Sequence, residues 1–198
     1  AYLSRGTWSL MGIESEEPII SEASSKYNYT NEGGVEGTTR FLKNITGMWL
    51  LEQCRKRWSK EGHDYSYSQI EAMATAEKDF PSIVNPDDPR FASPCDMAES
   101  IAGYCKESGQ KVPESDAQFI SCIYHSLAHR YKEVLTVLQQ FAPFEIKTLH
   151  VIGGGSLNKF MSQLTADTIG LPVVTGPAEA TAIGNALIQA KALGLLKD

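Results

Sequence analysis

The sequence predicts an α/β fold in which a helical segment is inserted between two sheet-forming segments. The first 14 residues have the short strands and the glycine turn of a β-hairpin. Residues 148–193 read as strand, glycine turn, helix, strand and helix, which is the pattern of a parallel-sheet unit. Between these segments the apolar residues recur at helical spacing. A length of 198 residues is typical of one domain.

The composition excludes several classes of protein. Hydrophobic residues make up 42% and charged residues 21%, so a packed core is possible and wholesale disorder is not expected. The 18 basic and 24 acidic residues give a net charge of -6, and no basic run favours nucleic acid as a partner. No apolar stretch approaches the roughly 20 residues of a membrane span, so no membrane partner is expected.

The four cysteines are Cys54, Cys95, Cys105 and Cys122, and they form neither a C-x-x-C motif nor a metal-like pairing with histidine. This pattern is typical of free thiols in a reducing compartment, so we expect a cytoplasmic location and predict no metal site. Whether Cys105 contacts Cys122 stays open.

The N-terminal hairpin is predicted to pair residues 1–4 with residues 9–14 around Arg5-Gly6-Thr7. Gly6 is expected to adopt the positive φ that tight turns favour. A glycine also lets the backbone approach an anion, and the Thr7 hydroxyl can donate to a phosphate oxygen. Two interpretations stay open, an ordinary hairpin turn and a phosphate-binding turn. Residues 15–37 are predicted to form an ordered loop or a strand edge.

The middle of the chain is predicted to be helical. Apolar residues at spacings of three and four predict an amphipathic helix over 38–59. Ser68 and Glu71 have the spacing of a capping box that opens a short helix to about Lys78. Ser93 is expected to cap the next helix, with Pro94 at its first position. A helix of about 26 residues is then expected from residues 113–116 to Pro143.

The C-terminal segment carries a triple glycine between a strand and a helix. A strand over 148–152 is followed by Gly153-Gly154-Gly155, and Ser156 is expected to cap a helix to residue 169. Glycines at the carboxyl end of a strand let a flat ring or a phosphate approach the backbone, and the next helix offers free N–H groups. The alternative is a tight β-to-α turn without a ligand.

The last strand and helix are predicted over 171–175 and 177–193. Gly184 lies inside that helix, where glycine costs about 1 kcal/mol relative to alanine. We therefore expect a close contact at Gly184.

Together these motifs resemble one family, the FGGY-type sugar kinases. Residues 2–12 resemble the phosphate hairpin of the family's second domain, and residues 149–158 are similar to its adenosine motif. Residues 176–185 are similar to its last sheet-packing helix, and the resemblance runs in order from residue 1 to about 194. Gly-Thr-Trp-Ser-Leu-Met-Gly at 6–12, with Thr-Asn-Glu-Gly-Gly at 30–34, is narrower and resembles the family's rhamnulose kinases.

The resemblance implies an actin-like ATPase (ribonuclease H-like) fold. Residues 1–198 would be the second, nucleotide-binding domain of a two-domain sugar kinase, with the helical insertion over about 38–142. It also implies ATP and Mg²⁺ as cofactors, and phosphorylation of L-rhamnulose at its terminal hydroxyl. The sugar-binding N-terminal domain, the partner of this one, and the general-base aspartate are expected upstream of Ala1. We therefore expect no catalytic residue in this chain and no turnover by the chain alone.

The resemblance also assigns roles to single residues. Asn44 would face the substrate side of the cleft. Glu52 stands where some relatives have a glutamine that contacts the nucleotide, and a carboxylate there would repel a phosphate unless a cation intervenes. The full set implied for ATP binding is Gly6, Thr7, Glu52, Gly153, Gly154, Gly155 and Asn158.

Two alternatives remain open on the sequence. One is a kinase for another ketose, such as xylulose or fuculose. The other is a nucleotide-binding module that catalyses nothing.

Overall fold

A computed structural model describes residues 1–196, so residues 197 and 198 of the predicted domain lie outside the described part. It contains one six-stranded sheet and seven α-helices. The strands are β1 (Tyr2–Arg5), β2 (Trp8–Ser15), β3 (Thr30–Gly33), β4 (Thr39–Thr46), β5 (Leu149–Ile152) and β6 (Val173–Thr175). The helices are α1 (Glu22–Lys26), α2 (Trp49–Lys60), α3 (Tyr67–Ala76), α4 (Met97–Glu107), α5 (Asp116–Phe141), α6 (Lys159–Ile169) and α7 (Ala180–Ala192).

The sheet has the strand order β3-β4-β2-β1-β5-β6, and β1 joins an antiparallel half to a parallel half. Strands β1, β2, β4 and β3 pair antiparallel in succession, whereas β5 pairs parallel with β1 and with β6. Ser4 lies opposite Ile152, so the carboxyl ends of β1 and β5 meet at the same edge of the sheet. The hairpin tip and the triple glycine are therefore neighbours in space, although they are far apart in sequence.

The core lies between one face of the sheet and the central helix α5. Leu3 and Met11 from the strands and Ile123 and Leu127 from α5 are fully buried. Ser9 Oγ and the hydroxyl of Tyr131 lie 2.8 Å apart in this layer, so the polar groups that enter the core satisfy each other.

Helix α7 is the one α-helix of residues 1–196 that has no buried residue. Its Ile183, Leu187 and Ile188 are 43–51% exposed. An ion pair between Lys191 and Glu36 joins its last turn to the loop before β4.

The N-terminal hairpin, the 26-residue helix α5 and the C-terminal alternation of strands and helices are confirmed. The four cysteines are free thiols, and the neighbouring Cys105 together with burial raises the pKa of the Cys122 thiol. Within residues 1–196, no helix combines the length and the apolar character that crossing a membrane requires.

The helix predicted over 38–59 is wrong in its first half. Residues Thr39–Thr46 form β4, which lies inside the sheet between β2 and β3, and the helix begins only at Trp49. Phe41 and Leu42 are both fully buried although they lie on opposite faces of β4, so the strand does not show a clean alternation. The helical insertion therefore begins at about 49 and not at 38.

Three predicted caps are also wrong, and in each case a residue two or three positions away caps the helix. Ser66 and Gln69 form the capping box of α3, and Asp96, not Ser93, accepts the Glu99 N–H at the start of α4. Ser156 lies in a 3-10 turn over Gly154–Leu157, and Asn158 caps α6.

Two glycines behave differently from expectation. Gly6 does not have the positive φ predicted for it. Its turn is closed by a hydrogen bond from the Gly6 N–H to Trp8 O at 3.0 Å. A Cβ on Gly184 would meet no atom of the described chain within 4 Å, so the close contact expected there is not found.

Candidate functional site

The tip of the β1–β2 hairpin presents an open polar edge. Thr7 is exposed, and its hydroxyl makes no hydrogen bond to another described residue. Trp8 beside it is 58% exposed. The tip is thus ordered by its backbone, while the hydroxyl of Thr7 is available to a ligand.

The start of α2 docks onto this tip from one side. Met48 N donates to Gly6 O at 3.0 Å, and Trp49 N donates to Thr7 O at 3.1 Å. The first N–H groups of a helix have no partner within the helix, and no side chain caps α2, so the hairpin carbonyls take that role. Because both carbonyls are turned toward α2, the turn has a fixed orientation.

Gly47 permits this close approach. A Cβ at Gly47 would lie 2.6 Å from Gly6 O and 2.8 Å from Thr7 O. These are backbone atoms that cannot rotate away, so only glycine fits between α2 and the hairpin.

The triple glycine follows β5 at the same edge of the sheet. Gly153 has a φ of 83°, which favours glycine, and its N–H donates to Pro177 O at 3.3 Å. Gly154 is exposed, and a Cβ there would meet nothing within 4 Å of described atoms. The backbone at Gly154 is therefore open to a flat group, as the sequence predicts for an adenosine-binding loop.

Asn158 holds the far end of this loop. Its Oδ1 accepts from Met161 N at 2.8 Å, and its Nδ2 donates to the hydroxyl of Tyr124 at 2.9 Å. Both ends of the side-chain amide are thus engaged with the protein, so the contact of Asn158 with a nucleotide stays a prediction.

Arg5 connects the hairpin to the triple glycine, a link that sequence reasoning missed. Its side chain is 0% exposed, and its Nε donates to Gly155 O at 3.0 Å. A signal was present in the sequence, since Arg5 follows buried Leu3 by two residues and side chains two apart on a strand share a face.

Glu52 lies one turn into α2 and is paired with a cation. Its carboxylate accepts from Arg55 Nη1 at 3.1 and 3.2 Å, and the hydroxyl of Tyr67 donates to Glu52 Oε1 at 3.2 Å. The Arg55 guanidinium also lies 4.4 Å from the centroid of the Tyr67 ring. The carboxylate predicted to repel phosphate is therefore neutralised by a cation from its own helix. A cleft of about 470 Å³, lined by Glu52, Arg55, Lys56, Ser59, Lys60, Asp64 and Tyr65, runs along this side of α2.

Asn44 is exposed near the carboxyl end of β4, opposite Leu10 of β2. Two residues later Thr46 lies opposite Trp8, which is next to Thr7 at the hairpin tip. The structure thus brings Gly6, Thr7 and residues 153–155 to one sheet edge with α2 beside them, and Asn44 lies on β4 near the same end of the sheet.

The residues do not form a magnesium site. Across residues 1–196, no group of three or more histidine, cysteine, aspartate or glutamate side chains lies close enough to hold a metal ion. Glu52 is engaged by Arg55, so no step through Mg²⁺ is assigned to this chain's side chains.

Comparison with known proteins points to one family. The family model described as the FGGY family of carbohydrate kinases, C-terminal domain, matches residues 1–193. Proteins named rhamnulokinase from Bacteroides thetaiotaomicron and Pectobacterium carotovorum are 54% and 48% identical to this chain, and each match covers 100% of it. The chain spans 40% and 39% of the length of these two relatives.

Solved structures of sugar kinases share the fold. The gluconate kinase from Lactobacillus acidophilus and the Plasmodium falciparum glycerol kinase with ADP each match with a TM-score of 0.68 at 13% identity. Each match covers 100% of this chain and 39% of the other. At identities this low, the matches show the fold alone. They confirm the predicted actin-like α/β class.

The close contact between α2 and the hairpin predicts how a substitution at Gly47 changes the free energy of unfolding. We expect Gly47→Ala to destabilise the chain by about 1–3 kcal/mol, because the new methyl group would overlap backbone oxygens that cannot move aside. Urea unfolding of the chain measures the free energy of unfolding directly.

The matched control is Gly103→Ala in the middle of α4, where an added Cβ meets no described atom within 4 Å. Alanine is the better helix former, so this variant is expected to gain about 0.5–1 kcal/mol. Equal unfolding free energies for the two variants would contradict the packing described for Gly47.

Proposed function

This chain belongs to the FGGY family of carbohydrate kinases, as its C-terminal domain, and we propose that it is the ATP-binding half of a kinase that phosphorylates L-rhamnulose. Because the chain spans about two fifths of the length of its relatives, the activity is proposed for the whole protein. The relatives named rhamnulokinase, at 41–54% identity, support this ketose over xylulose or fuculose.

One observation carries the proposal, namely the junction of the hairpin tip with the triple-glycine loop. The Thr7 hydroxyl is exposed at the tip, and the open backbone at Gly154 follows β5 at the same sheet edge. A nucleotide has a polyanionic end and a flat apolar end. The Thr7 hydroxyl suits the polyanionic end, and the open backbone at Gly154 suits the flat end. The ADP in the glycerol kinase structure supports the choice of an adenine nucleotide.

The proposed reaction is phosphoryl transfer. The terminal hydroxyl oxygen of the open-chain ketose bonds to the γ-phosphorus of ATP, the bond from that phosphorus to the bridging oxygen breaks, and ADP leaves. The hydroxyl proton passes to the aspartate that the family resemblance places upstream of residue 1. Phosphoryl transfer depends mainly on positioning and charge stabilisation, and that is the work left to this domain.

The residues of this chain have distinct proposed roles. Thr7 donates a hydrogen bond to a phosphate oxygen, and Gly6 lets that phosphate approach the backbone. Gly154 lines the adenosine pocket, and Gly153 and Gly155 let the nucleotide approach it. Asn158 holds the loop through its bond to Met161 N. Mg²⁺ is the second proposed cofactor and would neutralise phosphate charge, and no side chain of residues 1–196 is assigned to hold it.

Two residues complete the proposed cleft. Glu52 borders the nucleotide together with Arg55, whose guanidinium cancels its charge. Asn44 faces the substrate side, where its amide can bond sugar hydroxyls.

The exposed apolar side of α7 supports a larger assembly. Ile183, Leu187 and Ile188 lie on one helix with about half of each side chain exposed. Contiguous apolar patches of this kind mark contacts with other parts of a protein. We propose that other parts of the full-length kinase cover these three side chains. Its N-terminal domain is the proposed partner of this chain. The free cysteines fit a cytoplasmic enzyme.

The choice of ketose is tested with the full-length kinase. We expect kcat/KM to be highest for L-rhamnulose when ADP release is coupled to an optical assay and L-fuculose and xylulose are compared under the same conditions. A clear preference for xylulose would contradict the proposal. Binding of ATP without phosphorylation of any of the three would favour the non-catalytic module.

The role of Thr7 is tested by Thr7→Val in the full-length kinase. Valine keeps the shape and removes the hydroxyl, so a hydrogen bond to a charged phosphate worth about 1.5–3 kcal/mol is lost. We expect KM for ATP to rise about 10–100-fold, while KM for the ketose stays within about twofold.

Thr136→Val is the matched control, because the Thr136 hydroxyl bonds only to Lys132 O within α5. Its KM for ATP is expected to equal the wild-type value. If Thr7→Val and Thr136→Val show the same KM, the hairpin tip does not bind phosphate.

A further inference from the structure

Arg5 is a fully buried cation at the junction of the two candidate nucleotide segments. Its Nε and Nη2 both donate to Gly155 O, and Nη2 also reaches Asn158 O at 3.3 Å and Ser162 Oγ at 2.7 Å. These acceptors are the last glycine of the loop, the cap of α6 and a residue near the start of α6. One side chain from β1 thus holds the whole turn that follows β5.

The loop is also shaped around Arg5. A Cβ at Gly155 would lie 2.6 Å from Arg5 O and 2.8 Å from Arg5 Cγ, and a Cβ at Gly153 would lie 3.1 Å from Arg5 O. Gly155 is therefore needed for the contact with Arg5 and Gly153 packs tightly against it, which leaves Gly154 as the glycine of the three that faces open space.

The charge of Arg5 is not balanced by a carboxylate of the described chain. Its partners are two carbonyls and a hydroxyl, all neutral, and its Nη1 has no partner among the described atoms. Burial lowers the pKa of the guanidinium, and the nearby Tyr131 and Tyr124 act in the opposite direction. A buried charge without a counter-ion is costly, so a neutral side chain would serve better if only stability mattered here.

We propose that Arg5 is a positioning residue for the nucleotide, which fixes the adenosine loop against the phosphate hairpin so that both ends of ATP meet preformed partners. The inference rests on the proposed function. Arginine suits this task because its planar fork reaches several fixed oxygens at once, which the single ammonium of lysine does not. Its uncompensated charge also favours a polyanion at the adjoining surface.

The test uses Arg5→Lys and Arg5→Gln in the full-length kinase. For both variants we expect the ATP dissociation constant, measured by calorimetry on folded protein, to rise at least about tenfold. KM for the ketose is expected to stay within about twofold, and kcat at saturating ATP within about threefold. The control is Arg40→Lys, an exposed arginine paired with Glu32 in the same sheet, which is expected to bind ATP like the wild type.

A second readout does not depend on nucleotide. Hydrogen exchange without ATP is expected to become faster in Arg5→Lys at residues 153–158, because the carbonyls that anchor this loop lose part of their support. If the Arg5 variants do not fold, Ser162→Ala removes one acceptor and leaves the arginine in place, and we expect a two- to fivefold weaker binding of ATP.

The outcomes separate this inference from the proposed function. A wild-type kinase that binds no ATP contradicts the proposed function and this inference with it. A wild-type kinase that binds ATP, together with Arg5 variants that bind it equally well, overturns the role of Arg5 alone. A lower melting temperature with unchanged ATP affinity also overturns it, since that is the result of a purely structural arginine.

Discussion

The proposed nucleotide face of this domain depends on the hydrogen bonds that hold the β1–β2 turn from two sides. On one side the first N–H groups of α2 donate to Gly6 O and Thr7 O. On the other side the Arg5 side chain, one residue before the turn, donates to Gly155 O. These carbonyls are satisfied within the protein, while the exposed Thr7 hydroxyl and the open Gly154 backbone remain available to a ligand.

The same arrangement determines the charges beside the proposed site and how closely its backbone segments pack. Arg5 adds a buried positive charge that no carboxylate of residues 1–196 balances, while Arg55 balances the negative charge of Glu52. Gly47 and Gly155 keep backbone atoms close enough for these bonds to form, since a Cβ at either position would lie within 2.6 Å of a neighbouring carbonyl oxygen. The proposed phosphate end of the site therefore adjoins a buried positive charge and closely packed backbone.

Local patterns predicted much of the fold, and long-range pairing explains what they missed. The hairpin, α5 and the triple-glycine turn are specified by neighbouring residues. Strand β4 was predicted as helix because it is buried on both faces, so Phe41, Leu42 and Ile45 lack alternation and merge with the spacing of α2. Arg5 and Gly155 are 150 residues apart, and only the register of β1 against β5 brings them together. By contrast, the ion pair between Glu52 and Arg55 could have been predicted, because residues three apart on a helix are neighbours.

A crystal structure of the full-length kinase with ADP tests the central claim most directly. We expect the β-phosphate within hydrogen-bond distance of Thr7, the adenosine against Gly153–Gly155 and the Arg5 bonds to Gly155 O retained. Adenosine bound away from the triple glycine would contradict the account, for instance in the groove of about 540 Å³ that Phe141 and Ile19 line. A phosphate chain that does not approach the hairpin tip would contradict it equally.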